Sequence, residues 1–115
     1  MPDSIRYEDI TCPIVLCQQL LAGKWKIVLL YMLSMRTHRF NEMQRLLDGI
    51  TAATLNKQLK ELVEDGLVLR KSYDEIPPRV EYSLTALGAE FNKVLDSMQV
   101  FGNAYKQVAP HAKTN

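Results

Sequence analysis

Apolar residues recur at steps of three and four within residues 48–67, in the stretch DGITAATLNKQLKELVEDGL. Such steps return to the same side of an α-helix, so the pattern predicts a helix whose buried stripe is Ala52, Leu55, Leu59 and Leu62. Thr51 can cap the helix start through its hydroxyl. Gly66 can close the helix end in the left-handed conformation, with Leu67 reaching back to the last apolar residue of the stripe. The sequence therefore predicts one short helix with both ends specified.

The outward face of this helix is small or hydrogen-bonding in its N-terminal half, and such a face can enter a DNA groove. We predict DNA contacts from Thr51, Ala53, Thr54, Lys57 and Gln58. Just upstream, residues 40–47 have a helical spacing of their own, and a short turn containing Gly49 joins the two segments. The arrangement is typical of a helix-turn-helix, although an ordinary helical hairpin has the same pattern.

The apolar spacing changes from helical to alternating after Gly66. Leu67, Leu69 and Tyr73 alternate with polar or smaller residues, and so do Val80, Tyr82 and Leu84. Alternation predicts two strands of a β-hairpin, whose connecting loop is stiffened by Pro77 and Pro78. A hairpin directly after a helix-turn-helix predicts a winged helix, which favours the DNA-binding interpretation. The wing residues predicted to contact phosphates are Arg70, Lys71 and Arg79, although each has the alternative of being a solvated strand charge.

The chain before the helix-turn-helix contains two further predicted helices. The first begins at Cys12-Pro13, with Cys12 at or near its cap, and ends at Gly23. Ile14, Cys17 and Leu21 share one face of it, so Cys17 is predicted to be buried. Residues 24–35 are apolar nearly all round, which predicts a helix buried on most sides, with Trp25 as a core anchor.

A long final helix is predicted over residues 86–108, capped by Thr85 and about 35 Å long at 1.5 Å per residue. Its apolar residues are spaced alternately by four and three, which is the seam of a coiled coil. The first part can pack on the protein's own core, but a helix of this length extends beyond so small a domain. We therefore predict a homodimer. The residues predicted to form its interface are Phe91, Val94, Met98, Phe101 and Tyr105.

The composition is that of one soluble globular domain, with 115 residues, 47% of them hydrophobic and 23% charged. Net charge is only +1, which neither favours nor excludes nucleic acid. Between residues 36 and 60, however, there are only two acidic residues and five basic ones, which are Arg36, Arg39, Arg45, Lys57 and Lys60. The basic excess lies on the helix-turn-helix, so Arg39 joins the predicted DNA contacts.

Other function classes find little support in the sequence. There is no apolar stretch near the ~20 residues of a membrane span and no secretory signal, so a cytoplasmic protein with no membrane partner is expected. Cys12 and Cys17 match no zinc-ligand spacing and suit a reducing compartment. His38 and His111 lie far apart in sequence, and His38 is interpreted as a surface residue or phosphate contact. No enzyme, metal or cofactor is expected.

Several short motifs between Cys12 and about Gly102 resemble the HxlR-type winged helix-turn-helix transcriptional regulators of bacteria and archaea. They are Cys12-Pro13, Gly23-Lys24-Trp25-Lys26, Arg39-Phe40-Asn41-Glu42, Gly49-Ile50-Thr51, Glu64-Asp65-Gly66-Leu67-Val68 and the stretch PPRVEYSLT of residues 77–85. The resemblance implies a dimer that binds operator DNA, and it implies that Cys12 senses oxidants or electrophiles. The sequence departs from the family pattern at three positions: Ala22 stands where a second glycine is common, Met43 where leucine is, and Thr51 where serine often caps the helix.

These observations together predict a mainly α protein with a small β-hairpin, an α+β winged helix-turn-helix with an extended dimerisation helix. Residues 12–108 are expected to form the domain, with a loosely ordered segment at 1–11 and a frayed tail at 109–115. The predicted function is sequence-specific transcriptional regulation by a homodimer on a near-palindromic duplex operator, with an oxidant or small molecule as a candidate effector. The alternative is a winged helix that serves only for protein contacts.

Overall fold

The computed structural model describes residues 11–109, which form an α+β winged helix as predicted. The elements are α1 (Pro13–Leu20), α2 (Lys26–Met35), β1 (His38–Arg39), α3 (Phe40–Leu46), α4 (Ala52–Glu64), β2 (Val68–Tyr73), β3 (Arg79–Leu84), α5 (Ala86–Glu90) and α6 (Asn92–Val108). The predicted loose segment at 1–11 and frayed tail at 109–115 lie outside the described residues, apart from Thr11 and Ala109.

The core is built around α4, whose three leucines are completely enclosed. The prediction that Ala52 is buried is wrong, because Ala52 lies at the first turn of the helix and is exposed. Leu55, Leu59 and Leu62 each expose 0% of their surface. They pack with Leu29 and Leu30 of α2 and with buried residues of α3 and the sheet, in one contiguous cluster. Burying a leucine side chain stabilises a fold by roughly 1.5–3 kcal/mol, so this stripe is the main force that orients α4.

Both predicted ends of α4 are confirmed. The Thr51 hydroxyl accepts a hydrogen bond from the Thr54 N–H at 3.1 Å. At the other end Gly66 has φ +79°, and the Leu67 N–H donates to the Leu62 carbonyl at 3.0 Å. This is the cap geometry that a left-handed glycine permits, and it turns the chain directly into β2.

The predicted hairpin is confirmed, and a short third strand joins it. Strands β2 and β3 are antiparallel with Arg70 opposite Tyr82, and β1 pairs with the other edge of β3, giving the order β1-β3-β2. His38 lies in β1 opposite Tyr82 and is buried, so its interpretation as a surface residue or phosphate contact is wrong. Its Nδ1 lies 2.9 Å from the Arg36 carbonyl oxygen.

The inward face of β2 differs from the prediction. Val68 is buried and Leu69 is exposed, because Leu67 belongs to the cap of α4 and the strand begins one residue later. A shift of one residue moves every side chain of a strand to its other face. The inward residues of β3 are as predicted, with Tyr82 buried and Val80 and Leu84 packed against the core.

Helix α1 is shorter than predicted and turns another face to the core. Cys12 is its N-cap residue and Pro13 its first residue, as predicted, but the helix ends at Leu20. Val15 is its buried residue, whereas Ile14 and Cys17 are exposed. The prediction that Cys17 is buried is therefore wrong. Of its eight residues only Val15 is buried, with Gln19 and Leu20 half-buried, so most of the surface of α1 is exposed.

The final helix is divided into α5 and α6 at Phe91, where one continuous helix was predicted. Thr85 caps α5 as expected, accepting from the Gly88 N–H at 3.0 Å. A Cβ atom at Gly88 would collide with the carbonyl oxygen of Leu67, so this position accepts only glycine. The Phe91 N–H then bonds three residues back, to the Gly88 carbonyl, before α6 begins. Helix α6 has 17 residues and a length of about 25 Å.

Candidate nucleic-acid interface

The N-terminal half of α4 presents the small, hydrogen-bonding face that the sequence predicts. Thr51, Ala53 and Lys57 are exposed and Thr54 is half-buried. The Thr51 hydroxyl also donates to the Thr54 hydroxyl at 3.0 Å, so the two threonines are held relative to each other. Small residues at the start of a helix allow its backbone close to a groove, and a hydroxyl or ammonium there can meet base edges or phosphates.

Gln58 does not belong to this face, and its predicted outward orientation is wrong. Only 9% of its surface is exposed, and its Oε1 accepts a hydrogen bond from the backbone N–H of Trp25 at 3.0 Å. Gln58 follows Leu55 by three residues, which places it only about 60° round the helix axis from the centre of the buried stripe. It therefore fixes α4 to the start of α2, beside the core-packed Trp25.

A buried ion pair holds α4 from the same side. The Lys26 ammonium lies 3.1 Å from a Glu61 carboxylate oxygen, and the Lys26 side chain is almost fully buried. This pair could not be predicted from local spacing, because Lys26 follows Trp25 in a stretch interpreted as apolar. Glu61 keeps partial access to solvent, so it can compensate the lysine charge at a smaller desolvation cost than a fully buried carboxylate.

The start of α3 is fixed by Glu42, which leaves the Arg39 side chain outward. The backbone N–H of Arg39 donates to Glu42 Oε1 at 2.8 Å, and Arg36 lies 3.3 Å from the other carboxylate oxygen. The hydrogen bond from the Arg39 backbone, followed by the charge of Arg36, lowers the pKa of Glu42. This carboxylate therefore stays ionised at neutral pH and completes the cap of α3.

A cleft of about 510 Å³ lies between α3, α4 and the wing, which is the hairpin β2–β3 with its loop at 74–78. It brings together three predicted cations, Arg39, Arg70 and Arg79, from three separate elements. Sequence reasoning missed Asn41 and Asn56, which also line it. Asn56 could have been found from spacing alone, because Ala53, Asn56 and Lys60 follow each other at steps of three and four on the exposed side of α4.

The three predicted cations of the wing have different surroundings. Arg70 is exposed on β2. Lys71 lies with its ammonium 4.9 Å from the centre of the Tyr73 ring. Arg79 is engaged within the wing: its guanidinium lies 3.2 Å from Glu75 and stacks 3.9 Å from the Tyr73 ring centre. Of these three residues, only Arg70 both lines the cleft and has a side chain that is not engaged within the wing.

Residues 20–110 match the family described as HxlR-like helix-turn-helix. The chain belongs to this family. It is 42% identical over 95 residues to the uncharacterised HTH-type transcriptional regulator YdeP of Bacillus subtilis, covering 83% of this chain and 74% of that protein. Another relative of the same organism, YybR, is 36% identical over 104 residues, covering 90% of this chain and 83% of that protein, and both relatives are HTH-type transcriptional regulators.

Two solved structures of regulators are similar to this HxlR-family chain. The redox regulator HypR in its reduced form matches with a TM-score of 0.81 and 36% identity, over 86% of this chain and 98% of that chain. The reduced form of the transcriptional regulator YodB from B. subtilis matches with a TM-score of 0.69 and 27% identity, over 89% of this chain and 95% of that chain. The fold and the regulator class are therefore those predicted.

Cys12 lies where the sequence places it, at the N-cap of α1, and is half-buried. Its side chain makes no hydrogen bond to the helix start, and both described cysteines are free thiols. Cys17 lies five residues further along and lines an apolar groove of about 210 Å³ with Leu20, Phe91 and Val94. The two thiols of this HxlR-family chain thus have different environments.

The predicted dimerisation seam is largely open on α6. Phe101 exposes 72% of its surface and Tyr105 53%, and Val94 and Met98 are also exposed. Phe91, in contrast, packs against the core, and the buried residue of α6 is Leu95, which the seam does not include. Within residues 11–109 no helix is both long and apolar enough to cross a membrane.

Proposed function

We propose that this HxlR-family regulator binds duplex operator DNA as a homodimer, with the N-terminal half of α4 entering the major groove. The observation that carries the proposal is the contrast between the two sides of α4. One side is locked by three completely buried leucines, and the other exposes Thr51, Ala53 and Lys57 at the start of the helix. A reading helix needs this combination of a fixed axis and an unobstructed polar face.

The wing and the cleft support the same surface as the DNA side. We call the exposed side of the N-terminal half of α4, with Thr51, Ala53, Thr54 and Lys57, the reading face. Asn56 belongs both to α4 and to the wall of the cleft, so the reading face and the basic cleft are contiguous. Phosphate contacts give most of the affinity of such proteins and base contacts give the specificity. Arg39 and Arg70 are suited to phosphates, and Ala53, Thr54 and Lys57 to the groove.

Lys57→Ala and Thr54→Ala are each expected to weaken operator binding by about 1–2 kcal/mol, because each removes a group from the reading face without opening the core. Fluorescence anisotropy at fixed salt, on duplex DNA flanking the protein's own gene, measures the affinity. Lys93→Ala is the matched control, since Lys93 is exposed on α6 and its loss removes the same charge. Unchanged affinity in both α4 variants would reject α4 as the reading helix.

Dimerisation through α6 explains why so much apolar surface is exposed along one helix. A two-fold axis beside α6 would carry two copies of α4 to successive major grooves, about 34 Å apart on a near-palindromic site. If this winged helix served only for protein contacts, binding of duplex DNA would be weak. Phosphate contacts, in contrast, make affinity fall steeply with salt as counterions are released.

We further propose that Cys12 is a redox or electrophile switch. It is the half-buried N-cap residue of α1, and the similar HypR is a redox regulator. A bond to Cys17 is unfavourable, since five residues turn the second side chain ~140° round the axis. Oxidation would instead join Cys12 to the other subunit or to a small thiol, which displaces α1.

Mild diamide treatment is expected to lower DNA affinity in the wild type and in Cys17→Ser, but not in Cys12→Ser. Cys17→Ser is the matched control because Cys17 is the more exposed thiol on the same helix. Alkylation rates against pH, followed by mass spectrometry, report which thiol reacts first. If DNA binding is insensitive to diamide and Cys12 alkylates slowly, Cys12 is a structural capping residue.

A further inference from the structure

We infer that Arg79 positions the wing instead of contacting DNA, and that the cationic contacts of the cleft come from Arg39 and Arg70. This inference rests on the proposed function and divides it further. All three arginines line the same cleft, and the sequence assigns all three to DNA. Their surroundings divide them into two kinds. Arg79 is a brace, that is, a residue that holds the strands and the loop of the wing together, and Arg39 and Arg70 are the residues free to contact DNA.

The guanidinium of Arg79 is engaged on three sides. Its Nη2 lies 3.2 Å from Glu75 Oε1, and its Nε lies 4.0 Å from Glu81 Oε2. Its central carbon lies 3.9 Å from the centre of the Tyr73 ring, within stacking distance. Only 25% of the side chain is exposed, and Nε is buried without a hydrogen bond, so its contact with Glu81 is electrostatic only. The guanidinium is turned toward the wing and away from solvent.

These partners come from every part of the wing. Tyr73 is the last residue of β2, and it is paired with Arg79 at the end of the ladder that closes the loop. Glu75 lies within the loop, and Glu81 lies further along β3. One planar group therefore links both strands and the loop, and it determines where the loop with Pro77 and Pro78 stands against the cleft.

The charges lead to the same division. Glu75 and Glu81 compensate Arg79, so its positive field at the cleft is small. Arg39 and Arg70, in contrast, make no ion pair within residues 11–109, and both are exposed. A phosphodiester group entering the cleft would meet these two free guanidinium groups, with the amides of Asn41 and Asn56 as neutral donors beside them.

Glu75→Gln distinguishes a brace from a contact by the sign of its effect. If Arg79 contacts phosphate, removing Glu75 frees it, and affinity rises. If Arg79 is a brace, the wing becomes more mobile and must be ordered again when DNA binds. DNA affinity then falls by on the order of tenfold. Asp74→Asn is the matched control, because Asp74 is the neighbouring exposed acid of the loop, and it removes the same charge. Glu75→Gln binding more weakly than Asp74→Asn supports the brace, and equal or tighter binding overturns it.

Arg79→Lys supplies a second, independent readout. Lysine keeps the positive charge but lacks the planar group that pairs and stacks at once, so a brace is not restored and DNA affinity falls as in Arg79→Ala. A phosphate contact would be largely restored, and wild-type affinity in Arg79→Lys would overturn the inference. Thermal unfolding midpoints verify that each variant is folded. If an Arg79 variant does not fold, the Glu75→Gln comparison still decides, since Glu75 is half exposed.

Backbone ¹⁵N relaxation of residues 74–78 in the DNA-free protein separates failure of the brace from failure of the proposed function. The brace predicts increased picosecond to nanosecond motion of this loop in Glu75→Gln and none in Asp74→Asn. Equal loop order in both variants overturns the brace whether or not DNA binds. If the loop responds as predicted but the wild type does not bind duplex DNA, the proposed function fails while the structural role of Arg79 remains.

Discussion

Phe101→Asp is expected to convert the protein into monomers and to abolish tight operator binding. Phe101 is the most exposed of the five predicted interface residues that the structure places on or next to α6. A carboxylate at the centre of an apolar seam would have to be desolvated without a partner, which costs several kcal/mol in each of two symmetric copies. Without the dimer each recognition helix binds one half-site alone, and the gain from simultaneous engagement is lost.

Sedimentation velocity at micromolar concentration measures the oligomeric state, and anisotropy on the same samples measures DNA affinity. Asn103→Asp is the matched control, because it introduces the same charge on an exposed residue two positions along α6, away from the seam. The control should remain dimeric. A wild type that is monomeric at these concentrations, or a Phe101→Asp variant that remains a dimer, would rule out α6 as the interface.

Leu59→Ala is expected to lower the free energy of unfolding by about 2–5 kcal/mol, because it leaves a cavity at the centre of a core that has no exposed surface there. Lys60→Ala, at the adjacent exposed position, should change stability by less than about 0.5 kcal/mol. Urea titrations at one protein concentration give both values. A loss below about 1 kcal/mol for Leu59→Ala would mean that the core collapses around the site and that α4 is not rigidly held.

The parts of the fold that local chemistry determines could be predicted from the sequence. The ends of α4 depend on Thr51 and Gly66 and on hydrogen bonds within five residues, so a single helix contains all the information needed. The hairpin follows from alternation and from the loop prolines. The family resemblance rests on these same motifs and led to the same fold.

The parts that depend on distant contacts could not be predicted in this way. Strand β1 has two residues, too few for any periodicity, and it exists because β3 offers it an open edge. The face that α1 buries is decided by what it docks against and not by its own spacing. The close approach of Gly88 to the Leu67 carbonyl is a contact across 21 positions of sequence, which no local spacing indicates.

The candidate site shows the same division. Sequence reasoning could name Arg39, Arg70 and Arg79 as basic residues in the right elements, since charge and position are local properties. It could not show that Arg79 is already paired with Glu75, because that pairing depends on how the loop folds back. Nor could it show that the burial of Gln58 serves to hold Trp25. The residues that we propose as DNA contacts, Arg39 and Arg70, are those without such partners.

DNase I footprinting on the DNA that flanks the protein's own gene shows whether two copies of α4 read one operator. A homodimer reading with α4 should protect two similar half-sites whose centres lie about 34 Å apart, or a multiple of that distance, on one face of the duplex. We expect this paired protection for the wild type and its loss for Lys57→Ala at the same protein concentration. No protection at concentrations where the wild type is dimeric, or a single unpaired half-site, would contradict it.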